Sequence, residues 1–316
     1  MNRGIPVVFS GGRAGCLSLS IPQAAKYNKD IWLLKNDGDI FDYRGILGDE
    51  RQFFWSRLSD NYSEIFEKYY VHYSPNPPEF EKQCFIRYIV LYEFMKSKGF
   101  DRALLAEHDV MTFTDYGAFF GNTGTGVKVG VSFSVPVQSL DTYGSLAWSG
   151  HSYWTVDALK DYIEFLIDLY MYPESGVGKS SKQGICDMTL TKLWVKHNDG
   201  KGILNMAPVS GNNVFDYNLC QKTDYEGENF RFHEILRLKK WVMKDGLPYF
   251  IAEDGREIRA LTMHFNGQSK GLMKSFIETG GDLKKMLRTP EGREYRASCH
   301  RQFRNRIING IRRRLP

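Results

Sequence analysis

The chain has 316 residues, of which 42% are apolar, 25% charged and 14% aromatic, a composition that suits one large or two modest folded domains with a full core. The net charge of +5 is uneven: residues 283–316 hold eleven Lys/Arg and two Glu, a net of +9, and the rest of the chain carries −4. No stretch approaches the roughly 20 apolar residues of a membrane-spanning helix, and the apolar run in MNRGIPVVFSGG is too short for a signal peptide. The five cysteines are scattered and never spaced C-x-x-C. That argues against a structural zinc site and for a reducing, cytoplasmic setting, with each thiol a small buried hydrophobe.

In chain order, IPVVFSGG reads as a strand ending in a glycine turn, SIPQAAKY as a helix with Pro22 near its first turn, and DIWLLKNDGD as a second strand. This βαβ opening predicts an α/β protein with a parallel sheet. Residues 79–98 predict a buried helix with Phe80, Cys84, Tyr88 and Leu91 on one stripe, stopped at Gly99. RALLAEHDVMTF then reads as a buried strand interrupted by Glu107, His108 and Asp109. After the β-like VSFSVPV, TVDALKDYIEFLIDLY is an amphipathic helix capped by Thr155, and CDMTLTKLWVKH a shorter one. Residues 239–265 contain further strands, with a turn at Asp254–Gly255. No internal repeat or low-complexity block is present.

Two acids and an imidazole crowding the end of a buried strand are electrostatically costly unless they meet a cation. Oxygen ligands at i and i+2 suit a hard divalent ion, Mn²⁺ or Mg²⁺. Downstream, LTMHFNGQSKGLM offers a second group: His264 at a strand end, Gly267 for close backbone approach, and Lys270 as positive charge for a diphosphate.

An acid-x-Asp at a strand end, paired with a downstream H-x-x-G-x-x-K, resembles the metal- and diphosphate-binding pair of GT-A fold glycosyltransferases. The family 8 (glycogenin/galactosyltransferase-like) members, and bacterial and viral polysaccharide or lipopolysaccharide sugar transferases, are similar over roughly residues 5–275. The chain departs from the pattern in having Glu at 107 and Gly271-Leu272 after the lysine. The resemblance implies a Rossmann-like, mixed and mainly parallel sheet flanked by helices. It also implies a metal site of Glu107, Asp109 and His264. Phe9, Ser10, Gly11 and Asp37 would lie by the nucleotide, and Gly267 and Lys270 by the diphosphate. Arg87, Ser149 and Gly150 would meet the donor sugar, the last two from AWSGHSYW. Asp187, in GICDMTLTKLW, would be the catalytic carboxylate, unless it serves only as a helix N-cap.

The implied activity is transfer of a hexose or pentose from a UDP- or GDP-sugar to a glycan or glycolipid. The implied domains are a catalytic body over 1–275 and a basic amphipathic helical tail over 276–316. Phe303, Ile307, Ile311 and Leu315 recur at helical spacing among arginines, which suits peripheral attachment to an anionic membrane. Nucleic acid is the less favoured partner, since no aromatic-interleaved motif accompanies the charge. The rival readings are a sugar-phosphate nucleotidyltransferase, for which SGGRAG is a partial phosphate loop, and a non-catalytic membrane- or nucleic-acid-binding protein.

Overall fold

The computed structural model describes residues 4–11, 14–36, 41–55, 61–122, 126–133, 147–172, 185–207, 211–224 and 228–312. The strands in chain order are β1 (Val7–Ser10), β2 (Ile31–Lys35), β3 (Gln52–Phe54), β4 (Arg102–Ala106), β5 (Val110–Thr112), β6 (Val129–Phe133), β7 (Ala147–Thr155) and β8 (Ile203–Asn205). They continue as β9 (Asn213–Phe215), β10 (Thr223–Asp224), β11 (Glu228–Asn229), β12 (Phe232–His233), β13 (Leu238–Lys239), β14 (Trp241–Lys244), β15 (Leu247–Ile251) and β16 (Glu257–His264). The helices are α1 (Ala14–Ala25), α2 (Asn61–Tyr69), α3 (Pro78–Lys98), α4 (Tyr116–Asn122) and α5 (Val156–Met171). After these come α6 (Asp187–His197), α7 (Leu272–Glu278), α8 (Leu283–Met286) and α9 (Pro290–Arg312).

Two compact units divide the chain. The first comprises Met1–Ala14, Ala24–His108 and Thr114–Met206; the second comprises Gly15–Gln23, Asp109–Phe113 and Ala207–Pro316.

The first unit is built on a sheet of order β3-β2-β1-β4-β7-β6-β8. Its pairings are parallel except those that β7 makes with β4 and β6. The expected mixed, mainly parallel sheet flanked by helices is therefore present. VVFS is buried at every position, and IWLLK and RALLA at all but one, as strands covered on both faces must be. Helix α3 starts with Pro78 at its first turn and stops at Gly99, whose φ of 69° places it in the left-handed region. Its middle, Phe85 to Met95, is buried on all sides. Tyr88 meets Tyr162 of α5 edge-on at 5.1 Å, and Tyr162 stacks on Trp154 of β7 at 5.1 Å. Thr155 caps α5 as expected, its side chain accepting the Ala158 N–H at 3.4 Å.

Two expectations need correction. Phe80, assigned to the buried stripe, is 56% exposed, because the first turn of α3 extends beyond the core its later turns enter. Pro22 lies well inside α1, because that helix begins at Ala14.

The second unit holds a sheet of order β14-β15-β16-β5, with β9 parallel to β16. β14 and β15 are joined by Asp245 and Gly246, both at positive φ (51° and 77°), the backbone that a tight two-residue hairpin turn demands. The Asp254–Gly255 turn is also present, Gly255 with φ 92°. α9 docks by its first half: the Tyr295 hydroxyl donates to the Leu236 carbonyl at 2.7 Å, and Cys299 is buried beside the same carbonyl. From Phe303 onward its described apolar side chains face outward. The expected division at residue 275 falls inside this unit. All five cysteines are free thiols; Cys16 and Cys299 are buried as expected, but Cys84, Cys186 and Cys220 are only half-buried, which corrects that expectation. No helix among the described residues is long and apolar enough to cross a membrane.

Candidate active site

In the first unit, the carboxyl ends of β1 and β4 lie side by side, with Phe9 in register with Ala106. This brings Ser10, the last residue of β1, and Gly11, which follows it, to the same sheet edge as Glu107, which follows β4. Parallel sheets collect ligands at such an edge. Phe9 itself is fully enclosed, so its side chain serves the core, while Gly11 turns the chain with φ 53°. Gly150 of β7 stands against Glu107: a Cβ there would run into the Glu107 carboxylate. The side chain of Ser149 and all of Asp37 lie outside the described residues.

Arg87 links this edge to Asp187. Its Nη1 donates to Glu107 Oε1 at 2.9 Å and its Nη2 to Asp187 Oδ2 at 2.5 Å. Nη2 also reaches the Tyr88 hydroxyl at 3.3 Å. Burial works to lower the Arg87 pKa, but Tyr88, Asp187 and Glu107 outweigh it and hold it well above the ordinary value. Asp187 moves the other way: burial raises its carboxyl from 3.8 to about 6, against the pull of Arg87. Asp187 is not the N-cap. Cys186 holds that position, and Asp187 is the first helical residue, its backbone N–H donating to Glu81 Oε1 at 3.2 Å.

Glu81, an acid in the first turn of α3, carries no sequence signature of its place here. Its other oxygen accepts from Ser74 and Asn76, both at 2.8 Å. Ligand atoms of Glu81, Cys186 and Asp187 lie within 4.8 Å of one another. With Glu81 taken up by these donors and Asp187 by a guanidinium, this trio serves to seat the start of α6.

In the second unit, strand pairing brings two distant segments together. β16 runs antiparallel to β5 with His264 opposite Val110, and the Phe265 N–H donates to the Asp109 carbonyl at 2.9 Å. His264 Nε2 consequently stands 3.5 Å from Asp109 Oδ2. Lys270 Nζ reaches the same oxygen at 2.9 Å. Gly267, with φ 60°, turns the chain out of β16 into the short helical turn Gly267–Gly271 that carries the lysine. Nδ1 of His264 lies 2.5 Å from the Tyr217 carbonyl, which can only accept, so Nδ1 carries a proton and Nε2 is the nitrogen that faces Asp109. Asp216 Oδ2 accepts the His264 backbone N–H at 2.9 Å. Asp216 and its ion-pair partner Lys239 carry no sequence signature of this role.

This donor set fits a divalent cation. A carboxylate oxygen and an imidazole nitrogen converge, both nearly enclosed, and the carboxylate already faces a cationic group.

No protein-family model and no curated protein sequence matches the chain. Among solved structures, mouse xyloside xylosyltransferase 1 superposes with a TM-score of 0.47 at 10% identity, covering 67% of this chain and 88% of that one. The bifunctional glycosyltransferase WbbM gives 0.48 at 13%, covering 93% of this chain and 51% of its own. The galactosyltransferase LgtC gives 0.44 at 14%, covering 88% and 95%. At these values no residue role is transferred from them.

Proposed function

We propose that the chain is a metal-dependent GT-A glycosyltransferase, moving a sugar from a UDP- or GDP-sugar to a glycan or glycolipid acceptor. The observation that carries this reading is the convergence of Asp109, His264 and Lys270. A carboxylate and an imidazole more than 150 positions apart meet with a lysine beside them, which supports a divalent-ion site. Asp109 and His264 would hold Mn²⁺ or Mg²⁺, with Glu107, two residues before Asp109 in the chain, as a further carboxylate. When bound, the ion offsets negative charge gathering on the departing diphosphate. Lys270 adds a second positive charge there, and Gly267 leaves room for a phosphate to approach the backbone.

Ser10, Gly11 and the Phe9 backbone are proposed to line the nucleotide, along with Asp37. Arg87, Ser149 and Gly150 are proposed to face the donor sugar. Asp187 is the proposed catalytic carboxylate. In its anionic form it takes the acceptor hydroxyl's proton or steadies the anomeric carbon as the bond to the diphosphate breaks. A pKa of about 6 leaves it anionic at neutral pH while keeping it a better base than an ordinary aspartate.

The second half of α9 extends this reading to a location. Phe303, Ile307 and Ile308 are 40%, 49% and 39% exposed on a helix with exposed Arg301, Arg304 and Arg306. We propose that this segment rests on an anionic membrane surface that carries the acceptor.

Incubating the protein with a panel of nucleotide-sugars, with Mn²⁺ or with EDTA, tests the function. Mn²⁺-dependent release of free sugar and nucleoside diphosphate from one donor is the expected result. Pyrophosphate release from a nucleoside triphosphate and a sugar phosphate would favour a nucleotidyltransferase instead, and no turnover in either assay would favour a binding protein.

A further inference from the structure

His264 is grasped at three points by residues 216–219. The Asp216 carboxylate accepts its backbone N–H at 2.9 Å, the Tyr217 carbonyl accepts Nδ1–H at 2.5 Å, and the Leu219 N–H donates to its carbonyl at 3.1 Å. Those residues are themselves fixed by Lys239. Its Nζ lies 2.5 Å from Asp216 Oδ1 and 3.0 Å from the Asn218 carbonyl, and its backbone N–H donates to the Leu219 carbonyl at 3.0 Å. The side chains of Lys239 and Asp216 are both 0% exposed. The ammonium also sits 5.3 Å and 5.2 Å from the ring centroids of Phe230 and Phe250.

A fully enclosed ion pair is a weak source of stability, because apolar residues of the same volume often serve as well or better. What this pair supplies is geometry. Of the Asp216 carboxylate oxygens, Oδ1 meets Lys239 and Oδ2 the His264 backbone. The segment it orders then presents the Tyr217 carbonyl that selects the tautomer of His264. Partners of this kind, one shell out from a ligand, fix both ring orientation and the nitrogen left to bind.

We propose that Asp216 and Lys239 are positioning residues for the His264 imidazole, holding its proton on Nδ1 and its Nε2 toward Asp109 so that a divalent ion can be bound. This rests on the metal reading above. The effect runs through the 216–219 segment, which both side chains hold.

The test uses the full chain carrying Asp216→Asn with Lys239→Met, which removes the pair without leaving a buried charge alone. Mn²⁺ affinity is measured by calorimetry, and the His264 ring by ¹⁵N NMR in metal-free protein. The double variant is expected to unfold cooperatively like the wild type, to bind Mn²⁺ at least tenfold more weakly, and to lose the single Nδ1–H tautomer. A merely structural pair would lower the melting temperature and leave both readouts unchanged. Wild-type affinity with an intact tautomer signature in the folded variant overturns the inference.

Should the double variant fail to fold, Asp216→Asn with Lys239→Gln carries the test, since it too leaves no buried charge alone. The asparagine keeps an acceptor for the His264 N–H but breaks the ionic tie, and wild-type Mn²⁺ affinity there overturns the inference too. Asp109→Ala is the control that separates the two levels. If it binds Mn²⁺ as well as the wild type does, the metal reading falls and this inference falls with it. If only Asp109→Ala loses binding, the metal reading stands and the positioning role alone is lost.

Discussion

Arg87 Nη2 lies 2.5 Å from Asp187 Oδ2 in a pair whose side chains are both nearly enclosed. The carboxylate proposed to act on substrate is thus a held group, and Arg87 decides how costly its charge is. Replacing Arg87 by Met would strand Asp187, and Glu107 would lose its partner as well. Breaking one side of such a pair costs about 3–5 kcal/mol. Urea unfolding of Arg87→Met at pH 7 should show a loss of that order, and adding Asp187→Asn should recover much of it. Equal stability of the single and double variants would mean the pair is not coupled as drawn.

The raised pKa of Asp187 makes a signed prediction. Between 3.8, its ordinary value, and about 6, the native chain holds a proton that the unfolded chain has released. Its contribution to stability is therefore fully present below pH 4 and falls as pH rises through about 6. A shift of about two units corresponds to about 3 kcal/mol. Asp187→Asn cannot titrate, so the stability difference between wild type and variant should change with pH by that order between pH 4 and 7, the wild type losing ground as pH rises. A difference independent of pH would place the Asp187 pKa at its ordinary value. Turnover by the wild type should rise over the same interval as the anion forms.

Gly150 offers a geometric test beside Glu107. A methyl group at position 150 would occupy the space of the Glu107 carboxylate, so that group, and through it Arg87, must move. Displacements of about 1 Å near reacting groups can cost about a hundredfold in rate. Gly150→Ala should reduce donor turnover by at least tenfold while leaving the far-ultraviolet circular dichroism spectrum unchanged. Full activity would show that Glu107 has room to retreat and needs no fixed position.

The parts of the site readable from sequence were those with a local signature. ALLA followed by three ionisable groups announces a buried strand meeting charge, and His264, Gly267 and Lys270 fall within seven residues at a strand end. The helix stop at Gly99 and the cap at Thr155 were equally local. Arg87 with Asp187, and Asp216 with Lys239, are pairings across the fold, and neither partner sits in a pattern that names the other. By sequence Lys239 is one of two adjacent lysines and Glu81 a first-turn acid. Burial converts these ordinary residues into determinants, and burial of a particular face was also what the Phe80 expectation lacked. Its helical spacing was sound, but the first turn of α3 projects past the core.

Asp109 receives both His264 and Lys270 on one oxygen, so its removal should affect both. Asp109→Ala should abolish Mn²⁺-dependent turnover of the nucleotide-sugar while retaining cooperative unfolding. His264→Ala should weaken nucleoside diphosphate binding in Mn²⁺ but not in EDTA, since its lone pair has no direct role with phosphate. An equal loss under both conditions would assign the imidazole to the nucleotide rather than to a cation.

The end of α9 is tested on vesicles. Its apolar side chains are exposed where arginines surround them, which is the arrangement that binds an anionic bilayer by charge and by shallow insertion together. Each Lys or Arg near such a surface contributes about 1 kcal/mol, an attraction that salt screens. Replacing Phe303 and Ile307 by Ser should reduce co-sedimentation with phosphatidylserine-containing vesicles by at least fivefold, and raised salt should weaken the wild type similarly. Both residues lie beyond Tyr295 and Cys299, where the helix is anchored to the second unit, so hydrolysis of a soluble donor should be unaffected. Equal binding to neutral and anionic vesicles, or unaltered binding by the variant, would remove the membrane from the proposal and leave the exposed face for a protein partner.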